Sequence, residues 1–270
     1  MWFLNKMTKK FDFEKYVPLD YRNWVLGDKA REGANIKKLE ILSEDELEIW
    51  NLAIPYQDQR DDPGQGEIVA YFAKEFLKYL KGNRKVVVPA AILHDVGWYG
   101  GDAKAWKRLV LSKTKLGPEE MQRTIETEEI RRPHQNRGCL ITGRILEKAG
   151  WPEKYGNEIA DIIGDHDTRR LSATENGEIV RASDLMWRVS HPCLQIYQQN
   201  NSAAKILEVT GGTALYMAPP RNLRETELKI ARIEFVNSLF FKFGEPVKTV
   251  LGKEYKKELD KISKFYNKSV

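Results

Sequence analysis

The chain has 270 residues, 41% of them hydrophobic and 31% charged, with a formal net charge of +5. That is long and apolar enough to bury a substantial core, and it excludes a disordered or low-complexity chain. Basic residues are dispersed in short groups such as Lys37-Lys38, Arg131-Arg132 and Arg169-Arg170. No aromatic-interleaved basic motif accompanies them, which argues against a dedicated nucleic-acid binder.

Residues 1–42 carry weak periodicity and read as an N-terminal extension packed on the body. Ser43 opens a capping box with Glu46, so a short helix should run to the boundary at Pro55. Asp61, Asp62 and Pro63 give a cap and first-turn signature for the helix GQGEIVAYFAKEFLKYLKG, which Gly82 would terminate. The stretch Val86 to Val96 is short enough to pass for a strand, but its alanines and leucine favour a buried helix. Asp102 to Leu111 reads as a short helix. Gly117-Pro118 opens a long one to Lys148, with a break expected at Pro133.

Gly150-Trp151-Pro152 is a turn, and Pro152 starts a helix ending near His166. Asn176-Gly177 marks a further turn before a helix from Glu178 to about Ser190, which Pro192 bends or ends. Gly211 to Pro220 is a loop, and Glu225 to Phe243 is a final helix ahead of a charged tail. Its Phe235, Leu239, Phe240 and Phe241 would serve a homo-oligomer interface as readily as the core. No alternating strand pattern competes, so the expected fold is all-α: a helical core over residues 43–200 and a helical elaboration over 201–270.

Two cysteines, Cys139 and Cys193, lack CxxC spacing and offer no disulfide framework, which fits a reducing compartment. The opening MWFLNKMTKKF is too short in apolar residues for a signal segment, and no run of about eighteen apolar residues follows. The expectation is a soluble, cytoplasmic protein with no membrane partner.

Three of the four histidines fall in series with two aspartates: His94-Asp95, His134, His166 and Asp184. Each shares a helix face with apolar residues three, four or seven positions away. His94 aligns with Val87, Ala90 and Ala91, His134 with Ile130 and Ile141, His166 with Ile159, Ile162 and Ile163, and Asp184 with Val180 and Trp187. A single inward histidine is usually a hydrogen-bonded core residue. Four helices that all deliver ligand-type side chains to one interior point instead to a shared site for one or two divalent ions, such as Mn²⁺, Fe²⁺ or Mg²⁺.

The segments HDVGW, RRPHQNRGCLITGRIL, IIGDHDTRR and RASDLMWR, in that order over roughly Tyr56 to Arg188, resemble the HD-domain superfamily of metal-dependent phosphohydrolases. The resemblance implies that His94, Asp95 and Asp184 hold a primary metal. It also implies that His134 and His166 match the extra histidines of two-metal members, with Asp95 able to bridge. Gln65 stands where the family has its first histidine.

The implied function is hydrolysis of a small phosphorylated metabolite or nucleotide by metal-activated water, with Asp95, His134 and His166 in catalytic roles. Arg169, Arg170, Arg188, Arg60 and Gln65 are candidate contacts for the anionic substrate. For Arg169 and Arg170 a solvated helix end, and for Arg60 a surface salt bridge, are equally good accounts. Two alternatives stay open: a di-iron oxygenase on the same fold, which needs a full set of histidines, and an anion-binding module that has lost catalysis. Trp98 and Tyr99 read as packing residues, Cys139 as core, and His191 as structural.

Overall fold

The computed structural model describes residues 15–60, 62–101, 127–169, 171–200 and 225–243, and all regular structure among them is helical. The expected helix Asp102–Leu111, the start of the long helix at Gly117-Pro118, the loop Gly211–Pro220, the charged tail, Asp61 and Arg170 lie outside the described residues. The α-helices are α1 (Asp28–Arg31), α2 (Ala34–Lys38), α3 (Glu44–Ala53), α4 (Gln65–Phe76), α5 (Arg84–Leu93), α6 (Arg132–Lys148), α7 (Glu153–Asp165), α8 (Glu175–Trp187), α9 (His191–Asn200) and α10 (Glu225–Phe243). No helix among the described residues is long and apolar enough to cross a membrane.

Helix α5 is the axis of the core. Every residue from Val86 to Leu93 is fully buried, and α3, α4, α7 and α8 pack around it. Each fully buried aliphatic side chain contributes ~1.5–3 kcal/mol relative to exposure. Asn83 caps the helix by accepting the Lys85 N–H at 3.0 Å. Pro89 sits inside it and cannot donate to the carbonyl four residues back. That carbonyl, of Lys85, is taken up by the Trp151 indole N–H at 3.0 Å.

The capping box of α3 forms as its sequence implies: Ser43 Oγ accepts the Glu46 N–H, and the Glu46 carboxylate accepts the Ser43 N–H at 2.8 Å. A 3-10 turn, Ile54–Tyr56, follows at Pro55. Helix α4 departs from its expected bounds. It begins at Gln65 after Gly64 in the left-handed region (φ 98), and its first N–H groups are held from a distance. The buried Asp58 carboxylate accepts Gly64 N at 2.8 Å and Gly66 N at 3.3 Å. Asp62, expected as a cap, pairs with Arg60 instead at 2.9 Å. The helix ends at Phe76, because the chain then tightens into three-residue turns well before Gly82.

Helix α8 begins at Glu175, capped by Thr174 Oγ1, which accepts the Gly177 N–H at 3.1 Å. Asn176-Gly177 is therefore the first turn of the helix rather than a turn before it. A β-carbon at Gly177 would lie 1.8 Å from Ser172 Oγ, so close approach explains the glycine. Asn176 ties neighbours together, accepting Asn83 N at 2.7 Å and donating to Glu158 at 2.9 Å. Pro192 does not bend α8, which has already ended at Trp187; it lies in the first turn of α9, where a missing N–H costs nothing.

The N-terminal segment packs on the body through Tyr16, Leu19 and Tyr21, all buried. Glu234 of α10 accepts the Tyr16 hydroxyl at 2.6 Å and the Leu19 N–H at 2.9 Å. Phe235 beside it is fully buried in the core rather than free for an interface.

Burial pushes the Glu234 carboxyl up to about 7, against the opposing hydrogen bonds from Tyr16 and Leu19. A folded-state pKa above the unfolded value means that this group's stabilisation is complete below about pH 4.5 and is lost as pH rises through about 7. Glu234→Gln keeps an oxygen for Tyr16 and Leu19 but cannot ionise. Its melting temperature should fall less than that of the wild type between these pH values, a difference worth at most ~3 kcal/mol. Parallel thermal melts over this range check it.

Candidate metal centre

Four α-helices and a 3-10 turn bring the expected ligands together, mostly at their ends. His94 is the C-cap of α5, and Asp95 follows it as the N-cap of a 3-10 turn, Val96–Trp98. His134 lies in the first turn of α6, just after a π-helical turn, Thr127–Arg131. His166 is the C-cap of α7, and Asp184 lies within α8. His94, His134 and His166 are all buried.

The three imidazoles are oriented by one device. Each Nδ1 donates to a backbone carbonyl three or four residues back: His94 to Ala91 at 2.8 Å, His134 to Ile130 at 3.2 Å and His166 to Ile163 at 2.8 Å. Two of these acceptors are carbonyls that a helix end leaves without a partner. Because a carbonyl can only accept, the proton is fixed on Nδ1, and in the neutral ring Nε2 presents its lone pair inward.

The Nε2 atoms converge on Asp95. Its Oδ2 is 3.4 Å from His94 Nε2, and its Oδ1 is 3.4 Å from His166 Nε2 and 3.8 Å from His134 Nε2. Asp184 Oδ1 lies 3.4 Å from His94 Nε2. Asp167 Oδ2 lies 3.4 Å from His134 Nε2 and 3.8 Å from His166 Nε2, while its Oδ1 pairs with Arg131 at 2.9 Å. Two sets result, His94–Asp95–Asp184 and Asp95–His134–His166, each with ligating atoms within 4.8 Å of one another. Asp95 belongs to both.

The residues fit a divalent ion. The Nε2 atoms of His94 and His134 are buried without a hydrogen-bond partner, a costly state for a polar atom aimed at carboxylates. Separations of 3.4 to 3.8 Å between nitrogen and oxygen suit donors that share an ion with bonds of ~2.0–2.2 Å.

The field of the site is strongly divided. Burial and then His166 lower the His134 pKa to about 4, so this ring is neutral at ordinary pH. Burial opposes the charged forms of His94 and His166, but Asp95 and Asp184 for the first, and Asp167 and Asp95 for the second, raise both above the usual imidazole value. Burial would raise Asp95, yet Arg60 and His94 outweigh it and hold the carboxyl well below its usual range.

Arg60 belongs to the site and not to a surface salt bridge. Its Nη2 pairs with Asp95 Oδ2 at 2.5 Å, Asp62 Oδ2 at 2.9 Å and Gln65 Oε1 at 2.9 Å. Gln65 in turn donates from Nε2 to Asp184 Oδ1 at 3.3 Å. Arg169 takes the other course: it pairs one turn back with Asp165 at 2.8 Å and stays half exposed. Arg188, the half-buried C-cap of α8, lies one turn after Asp184. His191 packs on Tyr21 with ring centroids 5.5 Å apart, in the structural role expected of it. Half-buried Cys139 donates to Ala160 O at 3.3 Å.

Two residues escaped the sequence reading. Trp98 is no mere packing residue: its indole N–H donates to Asp95 Oδ1 at 3.0 Å, its ring stacks on His134 at 4.2 Å, and Arg60 lies 4.7 Å over it. Its spacing of three from Asp95 was the available signal. Tyr99 meets Tyr56 edge-on at 4.9 Å but stays half exposed. Asp167 stands one residue beyond the helix end at His166, where helical register no longer tells direction. The Gln135 amide holds that turn; in the orientation that satisfies both its ends, its oxygen accepts His166 N at 3.2 Å and Asp167 N at 3.1 Å.

Gly97 lets the 3-10 turn lie directly on α6. A β-carbon there would fall 1.8 Å from His134 O and 2.5 Å from Gly138 N, both backbone. No protein-family model, curated protein or solved structure matches the chain.

Gly97→Ala must push the turn off α6. Overpacking of this kind costs ~1–3 kcal/mol or more. The melting temperature should drop by roughly 2–12 °C, and Trp98 should withdraw from His134. Thermal denaturation and tryptophan fluorescence check the two effects.

Proposed function

We propose that this chain is a metal-dependent hydrolase of a small phosphorylated metabolite or nucleotide, of the HD-domain kind that its motifs resemble. One observation carries the reading: three buried imidazoles, each fixed by its Nδ1, turn Nε2 toward a single shared carboxylate, Asp95. His94, Asp95 and Asp184 offer one set of possible ligands, and His134, His166, Asp167 and Asp95 the other. A divalent ion bound there supplies Lewis acidity toward a phosphoryl oxygen and lowers the pKa of a coordinated water.

The protein's own residues do the rest. Asp95, ionised and shared, fixes the centre; Trp98 and Arg60 hold its two oxygens in place. The partly open members are Asp184 and Asp167, at 24% and 20% side-chain exposure, so substrate enters beside them. Arg188, four residues after Asp184 along α8, would meet an anion at that opening. Arg169, committed to Asp165, is not needed for this. Gln65, bonded to Arg60 and Asp184, supplies no histidine to complete a di-iron set, which favours hydrolysis over the oxygenase reading.

Protein reconstituted with Mn²⁺ or Mg²⁺ should hydrolyse a member of a panel of phosphomonoesters, phosphodiesters and nucleotides, with release of inorganic phosphate from a monoester or of a monoester and an alcohol from a diester. Chelation should abolish the release. Asp95→Ala, tested for folding by circular dichroism, should lose both metal and turnover, since it breaks both ligand sets; metal retained in this variant would refute the reading. Binding must also displace the proton from His166, whose pKa stands above the ordinary imidazole value. Metal affinity should therefore fall as pH drops, by about tenfold per unit for each proton displaced, with proton release visible in calorimetry across buffers of different ionisation enthalpy.

A further inference from the structure

The two halves of the centre are not equivalent, and the difference lies in what already touches the carboxylates. In the half formed by His94, Asp95 Oδ2 and Asp184 Oδ1, both oxygens have nitrogen donors on them. Arg60 Nη2 lies 2.5 Å from Asp95 Oδ2, and Gln65 Nε2 lies 3.3 Å from Asp184 Oδ1. Arg60 and Gln65 are also bonded to each other at 2.9 Å, so the two donors form one linked unit across the ligand positions. An ion in this half would have to displace that unit or share both oxygens with it.

The unit is built in. Arg60 keeps only 13% of its side chain exposed, and Asp62 accepts from the same Nη2 at 2.9 Å. Gln57 pins the start of the same loop by donating to Ile92 O at 2.8 Å. Asp58 anchors the loop to the start of α4 through Gly64 and Gly66. A guanidinium is always charged and offers no coordination position, so it neutralises the shared carboxylate as an ion would, without acting as a Lewis acid. A fixed positive charge in contact with Asp95 also repels a second dication on that side.

The other half differs. Asp167 Oδ2 faces His134 Nε2 at 3.4 Å and His166 Nε2 at 3.8 Å, and its second oxygen is steadied by Arg131 at 2.9 Å. His134 Nε2 is fully buried and without a hydrogen-bond partner. Asp95 Oδ1 completes the set, oriented by Trp98.

We propose that this centre takes a single divalent ion, held by His134, His166, Asp167 and Asp95 Oδ1, and that Arg60, braced by Gln65, stands as a fixed cation where a second ion would lie. This rests on the reading of the cluster as a metal centre. Asp167 is thereby a ligand, and His94 is not.

The test is metal stoichiometry, not turnover. The full chain is stripped, reloaded with Mn²⁺, freed of excess, and measured by elemental analysis and by electron paramagnetic resonance. The wild type should hold one ion per chain with an uncoupled six-line manganese signal. His94→Ala should keep that ion, while Asp167→Ala should weaken binding at least tenfold. The double variant Arg60→Ala with Gln65→His should take up a second ion.

Two ions in the wild type would overturn the inference and leave the metal centre standing. So would one ion lost in His94→Ala and kept in Asp167→Ala. No ion in the wild type after reconstitution would overturn both. Circular dichroism melts accompany each variant, and His94→Gln and Asp167→Asn replace any alanine variant that does not fold.

Discussion

The cost of keeping the Asp95 carboxylate inside the protein organises the structure around it. An ionised carboxylate in an apolar interior is unfavourable by several kcal/mol unless charge and hydrogen bonds surround it. Here the compensation comes from four directions: Arg60 and His94 on one oxygen, Trp98 and His166 on the other. Each partner is delivered by a different segment, so the ends of α5 and α7, the 3-10 turn and the loop before α4 must all reach their native places together. The apolar core supplies the framework, and the carboxylate sets the register in which that framework closes.

Backbone groups do much of the orienting. A helix C-terminus leaves carbonyls without partners, and side chains just beyond the end can reach them. His94 and His166 both do so, and Gln57 takes another such carbonyl at the end of α5. Satisfying a helix end and aiming an imidazole are thus the same hydrogen bond. This explains why His94 and His166 sit at C-caps, a position that fixes the tautomer without any further side chain.

Much of the fold was legible because its signals are local. The α3 capping box, the buried run of α5, the start of α7 after Pro152 and the span of α10 follow from composition and spacing alone. The bounds of α4 and α8 were misread because distant side chains decide them: Asp58 holds the start of α4, and Asn176 spans to Asn83 and Glu158. In the site, the face counts brought His94, Asp95, His134, His166 and Asp184 to one place, since helical periodicity carries direction. Asp167 and the placement of Arg60 were not legible for the opposite reason: both lie in irregular backbone, where no period relates sequence to direction.

Pro89 has a consequence for how the chain acquires this arrangement. A helix with proline in its interior lacks one of its own hydrogen bonds, and the Lys85 carbonyl left over accepts from Trp151, in the turn that joins α6 to α7. The bond forms when the hairpin of α6 and α7, which carries His134 and His166, docks against the central helix. Docking of that hairpin thus gives the helix that ends in His94 a backbone partner as it brings the other two imidazoles.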